Sequence, residues 1–205
     1  MDGVVLRSFF LSRWMWGMFA LPLAWIAWQV WISMAKNPAA LGPDPAQTLV
    51  DYFGKAALYL LFCVLAMTPV VRLTGWNILM RQRRALGVSV FLYALLHWTA
   101  YAGLLLEWQW RALGEDLVRR PYIIVGFAAG LMLFALAVSS NGWSVRYLGP
   151  KWRRLHKLIY PAACLILVHL IWVARSDYSE IAIYSVVLVL LLIARLPRTG
   201  RRQMR

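Results

Sequence analysis

Apolar residues gather into six runs along the chain, with short polar segments between them. Each run is about 20 residues long, which is the length that an α-helix needs to cross the hydrocarbon core of a bilayer. The runs cover residues 14–34, 52–73, 86–106, 121–139, 154–174 and 180–196. This pattern predicts an all-α, polytopic membrane protein in which a six-helix transmembrane bundle forms a single domain over residues 1–205.

The segments between the runs carry turn-forming residues. Three prolines and a glycine occupy residues 36–48, and Asn-Gly and Gly-Pro steps lie in residues 140–153, so both segments are expected to be loops. A short basic segment at residues 81–84 connects runs two and three. Pro69 is expected to kink the second helix near its end, whereas Pro121 suits the first position of the fourth helix.

The composition agrees with the membrane class and narrows it. Hydrophobic residues make up 62% of the 205 residues, which is above the average for soluble domains. Because six spanning runs leave only short connections, we expect no separate soluble catalytic domain. The two cysteines, Cys63 and Cys164, lie inside apolar runs without a CxxC motif, so they predict neither a disulfide framework nor a zinc site.

A net charge of +14 is also typical of nucleic-acid-binding proteins, but the distribution of the basic residues argues against that function. With both termini placed in the cytoplasm, 16 of the 22 Lys and Arg residues lie on the cytoplasmic side and six on the other. This bias follows the positive-inside rule and predicts cytoplasmic N and C termini. Residues 197–205 then form a basic cytoplasmic tail, and runs three and five both run outward from the cytoplasm.

Three histidines are the residues that point most directly to function. His97 lies in run three, and His156 and His169 lie in run five. An imidazole inside a bilayer is costly unless it finds a partner or a metal, so each is a candidate ligand. From the rise per residue, His97 lies about 16 Å and His169 about 21 Å into its helix, which places both in the outer half of the membrane. Facing histidines on neighbouring helices can supply both axial ligands of a haem iron, so this pair predicts a haem site.

His156 lies about 20 Å closer to the cytoplasm than His169, an offset that suits a second redox centre in series. The matching depth on run three holds Arg83 and Arg84, however, and arginine does not ligate iron. Those two arginines are candidates for contacts with anionic groups of haem or flavin. Hydrogen bonding between helices, proton relay and zinc coordination stay open as roles for a single intramembrane histidine. The alternative function is therefore a non-redox membrane scaffold or small transporter with structural histidines.

Several motifs resemble one known family, and together they extend over nearly the whole chain. The most specific is LGPKWRRLHKLIY at residues 148–160, which is followed by a second histidine 13 residues after the first. The others are LGPDP at 41–45, MTPVVRL at 67–73, RRALG at 83–87, ALLHWTAY at 94–101, RRPYIIVG at 119–126 and VHLIW at 168–172. The chain resembles the MsrQ (YedZ) haem-binding membrane subunits of the bacterial protein-methionine-sulfoxide reductase system, within the ferric reductase-like transmembrane superfamily.

The resemblance implies a single ferric reductase-like transmembrane domain in the bacterial inner membrane, surrounded by lipid. It implies haem b on histidines matching His97, His156 and His169, with one haem or two left open, and bound FMN. Electrons would come from the quinone pool or a cytosolic flavin reductase and pass to a periplasmic molybdopterin subunit that reduces methionine sulfoxide in oxidised proteins. The chain would carry electrons, and the catalytic chemistry would lie on that partner. It departs from the larger superfamily at residues 83–84, where an inner histidine is missing, and in lacking an FAD/NADPH domain.

Overall fold

A computed structural model describes residues 2–174 and 178–195, with side chains from residue 20 onward, and no strand occurs in that part of the chain. The α-helices are α1 (Asp2–Ala35), α2 (Pro45–Thr74), α3 (Ile78–Ala100), α4 (Trp110–Arg119), α5 (Pro121–Val138), α6 (Gly142–Leu148), α7 (Pro150–Leu155), α8 (Ile159–Val173) and α9 (Ser179–Arg195). A π-helical turn, Tyr101–Leu105, continues α3, and short 3₁₀ turns occupy Pro38–Leu41 and His156–Leu158. The predicted all-α class is confirmed. The predicted tail at 197–205 lies outside the described residues.

Four helical segments of the described chain are long and apolar enough to cross a membrane. They are Pro45–Thr74, Ile78–Leu105, Pro121–Val138 and Pro150–Val173. The apolar part of α1, Ala20–Ala35, and the 17-residue α9 are shorter. A polytopic membrane protein is therefore confirmed, whereas the count of six spans and the cytoplasmic placement of the termini stay predictions.

Helix α2 begins seven residues earlier than its apolar run. Asp44 is its N-cap, since the side chain accepts a hydrogen bond of 3.0 Å from the backbone N–H of Gln47. Pro45 then occupies the first helical position, where its missing N–H costs nothing. The prediction of loop up to residue 48 was therefore wrong at its end, because the Asp-Pro step starts a helix.

The basic segment at residues 81–84 is helical and lies near the start of α3, which begins at Ile78. Arginine has a high helix propensity, so a polar composition alone does not mark a helix end. The connection after run three likewise contains α4, a short surface helix. The segment at 140–153 contains α6 and α7 rather than continuous loop. Helices α1, α2 and α3 are longer than their apolar runs because they continue into the flanking polar residues.

Two helix pairs form the frame of the bundle. Helix α2 packs along α3, and α5 packs along α8. The side chains of Leu61, Leu65, Val90 and Tyr93 are almost fully buried between α2 and α3. The pair of α5 and α8 joins the same core through small residues such as Ala162, which lets the helices approach closely.

Pro69 lies within α2, and its lack of an N–H leaves the carbonyl of Leu65, four residues earlier, without a helical partner. Arg195, near the end of α9, provides one. Its Nε donates to the Leu65 carbonyl at 2.8 Å, and its Nη2 donates to the Val64 carbonyl at 2.7 Å. Arg195 as a whole residue is only 6% exposed. The proline thus creates an acceptor that ties α9 to α2.

Candidate functional site

His97 on α3 and His169 on α8 face each other inside the bundle. Their ring centroids lie 6.4 Å apart, and the ring planes are inclined by 83°. Both side chains are partly buried. The two histidines that the sequence places at similar depth are therefore neighbours in space.

The Nδ1 atom of each ring is hydrogen-bonded to a backbone carbonyl on the helix that packs against its own, α2 for His97 and α5 for His169. Nδ1 of His97 lies 2.8 Å from the Val50 carbonyl on α2, and Nδ1 of His169 lies 2.7 Å from the Tyr122 carbonyl on α5. Because a carbonyl only accepts, both nitrogens must donate, so each neutral ring carries its proton on Nδ1. The Nε2 lone pair of each ring is then left for a metal, as in most protein sites with histidine ligands.

A glycine on each opposing helix makes room for the imidazole. A Cβ at Gly54 would lie 3.1 Å from Nδ1 of His97, and a Cβ at Gly126 would lie 2.7 Å from Nδ1 of His169. Alanine at either position would push on the ring, and more strongly at Gly126. Glycine here is required for close approach rather than for an unusual backbone conformation.

The two halves of this site repeat along the chain. Each histidine lies 47 residues after the carbonyl that fixes it, and each glycine lies four residues after that carbonyl. The first set is Val50, Gly54 and His97, and the second set is Tyr122, Gly126 and His169. Each member of the first set therefore lies 72 residues before its counterpart in the second. The arrangement of α2 with α3 is in this respect repeated by α5 with α8.

The geometry of the pair fits two axial ligands on one metal. Imidazole nitrogens bind metals at about 2 Å, and a ring centre lies about 1 Å behind its nitrogen, so two rings on opposite sides of one ion have centres roughly 6 Å apart. The observed 6.4 Å agrees with this value. No group of three or more His, Cys, Asp or Glu residues that could hold a metal occurs in residues 2–174 and 178–195. A haem, which needs only two protein ligands, therefore suits the pair better than zinc, which takes three or four.

Trp98, the residue after His97, fixes α3 against α5. Its ring stacks on Phe127 with centroids 5.0 Å apart, and it fills the space left open by Gly130. A Cβ at Gly130 would lie only 2.0 Å from the indole, so the position admits no larger residue without displacing Trp98. This contact sets the spacing of the two helix pairs beside the histidines.

His156 has a different environment and lies in the 3₁₀ turn before α8. Its ring packs on Trp152 with centroids 3.9 Å apart, and its Nε2 lies 3.2 Å from the Ser139 hydroxyl. Trp152 in turn donates from Nε1 to the Ser139 carbonyl at 2.9 Å. The structure brings no second histidine to His156.

Arg83 and Arg84 both lie close enough to His156 to influence its charge. Nε of Arg84 donates to the Ser140 carbonyl at 2.5 Å, which ties α3 to the end of α5. Arg84 also precedes His156 by the same 72 residues that separate the other matched positions. Of the two arginines, Arg84 therefore stands where the repeat would place a histidine opposite His156.

Two comparisons with known proteins found matches to this chain. Residues 53–167 match the family described as ferric reductase like transmembrane component, a range that includes Gly54, His97, Gly126 and His156. The chain is 45% identical over 172 residues to the protein-methionine-sulfoxide reductase heme-binding subunit MsrQ of Xanthomonas campestris pv. campestris, which covers 83% of this chain and 78% of that one.

The chain belongs to the MsrQ family of ferric reductase-like membrane proteins. This membership confirms the resemblance seen in the motifs. It also agrees with the four helical segments that are long enough to span a membrane. The protein is therefore a multi-pass membrane protein, consistent with the predicted inner-membrane location. No solved structure matches the chain. To this family assignment the structure adds the backbone carbonyls and the glycines that contact His97 and His169.

Those supporting residues were not found from the sequence. A backbone carbonyl has no residue-type signature, so Val50 and Tyr122 carry no signal of their own. The glycines do carry one, because Gly54 and Gly126 precede their histidines by equal distances. A search for internal spacing repeats would have detected this pattern.

Proposed function

We propose that this membrane protein carries electrons, and that His97 and His169 are the axial ligands of one haem b. The observation that supports this most strongly is the matched pair of Nδ1–H donors, at 2.8 Å and 2.7 Å from carbonyls on α2 and α5. Each bond sets the tautomer, orients the ring and raises the basicity of the free nitrogen. Two such rings facing each other are prepared to ligate a metal without first breaking an interaction.

The residues around the pair contribute in two further ways. The carbonyl bonds and the two glycines hold the rings in fixed positions, so little rearrangement of the protein accompanies a change of charge between them. The apolar helices exclude water, which strengthens electrostatic effects at the site. A haem bound there would supply one-electron transfer, at a potential set by its ligands and by this dry surrounding.

The direction of transfer follows from the predicted orientation. The pair lies toward the end of the bundle where α2 and α5 begin, which is the periplasmic end if the termini are cytoplasmic. The protein resembling this chain is named a subunit of protein-methionine-sulfoxide reductase. We therefore assign the electrons to a periplasmic molybdopterin subunit that reduces methionine sulfoxide, with the quinone pool or a cytosolic flavin reductase as donor.

The proposal includes one haem at the pair and treats a second haem as a separate question. His156 would need an opposing ligand, and Arg84 stands at the matching position. FMN is proposed on the family resemblance alone, with Arg83 and Arg84 as contacts for its phosphate or for haem propionates.

Absorbance of the purified protein tests the haem assignment. Protein from haem-replete cells should show b-type bands on reduction, and His97→Ala and His169→Ala should each lose them. His156→Ala is the comparison variant: it should keep the bands of the haem at the pair, and it would lose only those of a second haem bound at His156. Unchanged haem content in both His97→Ala and His169→Ala would refute the assignment. Colourless wild-type protein would favour the alternative of a non-redox scaffold or transporter.

A further inference from the structure

Four polar side chains from α2 and α9 form a continuous hydrogen-bonded chain on one side of the bundle. Lys55 and Tyr59 lie one turn apart on α2, and Glu180 and Tyr184 lie one turn apart on α9. Lys55 Nζ lies 2.8 Å from both carboxylate oxygens of Glu180. The Tyr184 hydroxyl lies 2.5 Å from Oε1 of Glu180 and 2.6 Å from the Tyr59 hydroxyl. We call these four residues the tyrosine–carboxylate chain.

The carboxylate at one end sets the direction of these hydrogen bonds. Glu180 pairs with the Lys55 ammonium as a carboxylate, which only accepts hydrogen bonds. Tyr184 must therefore give its single hydroxyl proton to Glu180. Tyr184 then has no proton for Tyr59, so the Tyr59 hydroxyl donates to the Tyr184 oxygen. The bonds all point from Tyr59 toward Glu180, and the Tyr59 oxygen keeps a lone pair that can accept a proton from outside.

The accepting end of the tyrosine–carboxylate chain is open at the surface of an apolar helix. Tyr59 is 47% exposed, although it lies in Pro45–Thr74, a segment that is long and apolar enough to cross a membrane. Tyr184 is buried behind it, with ring centroids 5.8 Å apart. The side chains of Glu180 and Lys55 are again nearly half exposed. The buried hydroxyl of Tyr184 thus connects two accessible ends, and ionisable groups in such a place are functional candidates.

The tyrosine–carboxylate chain lies beside the histidine pair. Lys55 directly follows Gly54, the residue whose Cβ would lie 3.1 Å from Nδ1 of His97. Tyr59 is five residues beyond Gly54, or about 8 Å along the helix axis and on a different face of α2. The thickness of one helix, about 10 Å, therefore separates Tyr59 from the pair. An electron can cross that distance through packed protein, whereas a proton needs a path of hydrogen-bonded groups.

We propose that Tyr59 accepts the protons of a quinol oxidised at this surface, and that Tyr184 and Glu180 carry them away. This role rests on the haem proposed above, and it takes a lipid-soluble quinol as the electron donor, because Tyr59 is exposed on an apolar spanning segment. Oxidation of a quinol to a quinone breaks two O–H bonds and releases two protons and two electrons. The electrons leave one at a time, and each reduces the haem iron at the pair from Fe³⁺ to Fe²⁺ before it passes to the acceptor subunit.

Each proton takes the path that the hydrogen bonds define. The quinol O–H gives its proton to the Tyr59 oxygen as the Tyr59 proton moves to Tyr184 and the Tyr184 proton moves to Glu180. The half-exposed carboxyl of Glu180 then releases a proton to water, which restores the starting arrangement. Tyr59 is the catalytic residue in this scheme because it contacts the quinol, and Tyr184 and Glu180 act through it.

Reduction of the haem by decylubiquinol, followed by stopped-flow absorbance on the full chain in nanodiscs, tests this route. Tyr59→Phe and Tyr184→Phe keep the rings but remove the hydroxyls. Each should slow reduction roughly 100-fold, the lower end of what a positioned proton acceptor contributes. Glu180→Gln, which keeps polar atoms facing Lys55 but takes up no proton, should slow it in the same direction. Reduction by dithionite, which has no proton to lose, should keep its wild-type rate in all three variants.

Tyr147→Phe is the matched control, because Tyr147 is an exposed tyrosine on α6, away from α2 and α9. It should reduce at the wild-type rate with both donors. D₂O should slow the wild-type reaction with decylubiquinol but not that of Tyr59→Phe, a difference that a purely structural hydroxyl would not produce. Equal decylubiquinol rates in wild type and Tyr59→Phe, or a slowing that dithionite shares, would overturn the route while leaving the haem assignment intact. Colourless wild-type protein would overturn both.

Discussion

His97 and His169 each donate from Nδ1 to a helix carbonyl and keep Nε2 out of that bond, whereas His156 uses Nε2 for the Ser139 hydroxyl and packs its ring on Trp152. The first environment leaves the ligating nitrogen of each ring available. The second engages it in a contact within the protein. The same residue type in one apolar bundle is thus prepared for a metal in one place and occupied in another.

Depth and residue type do not by themselves separate these two environments. What distinguishes the outer pair is its support, namely a carbonyl acceptor and a glycine on the opposing helix for each ring. His156 has neither a facing imidazole nor that support, and it has Arg83 and Arg84 nearby. The supporting residues are therefore where the comparison can be tested most directly.

The largest effect is expected from Gly126→Ala, which should displace His169. The added Cβ would lie 2.7 Å from Nδ1 and 2.8 Å from Cε1 of the ring, too close for either to remain in place. Overpacking of this kind costs about 1–3 kcal/mol, so haem affinity should fall roughly 5- to 150-fold, as measured by haem retention during gel filtration. Gly87→Ala on α3 is the control, since its Cβ would meet nothing within 4 Å. If both variants retain haem equally, the glycine does not support the site.

Gly54→Ala should act in the same direction with a smaller effect. The closest approach to Nδ1 of His97 would be 3.1 Å, which a shift of a few tenths of an ångström relieves. We expect less than about tenfold loss of haem affinity and a changed reduction potential as His97 tilts. Redox titration followed at the haem absorbance measures both. A larger effect at Gly54 than at Gly126 would contradict the ordering that the contact distances predict.

The smallest effect is expected at the inner histidine. Ser139→Ala removes the partner of His156 Nε2 at a buried position, which should lower the free energy of unfolding by about 1 kcal/mol. Haem content and the reduced spectrum should not change, because neither Ser139 nor His156 touches the outer pair. Thermal unfolding and absorbance on one sample check both statements. Loss of haem from this variant would show that His156 is a ligand and that the two environments differ less than the hydrogen bonds indicate.

The sequence predicted the helical class and the main membrane segments because runs of about 20 apolar residues are a strong signal. It misplaced helix starts where polar residues continue a helix, as at Asp44 and Pro45 and at the arginines of α3. Depth along ideal helices was sufficient to place His97 beside His169, since both helices run the same way. The bonds at Val50 and Tyr122 could not be predicted in this manner, because they depend on which helix faces each ring.

The repeat of the site along the chain has a consequence for how the protein is made. His97 leaves the ribosome 72 residues before His169, which at about 5–20 residues per second is an interval of roughly 4–14 s. All members of the first set are made before any member of the second, so the first half of the site is synthesised before the second half begins. The second pair must then be inserted before two rings can face each other. Cofactor loading is therefore a late event in biogenesis, and it would join two halves that were inserted one after the other.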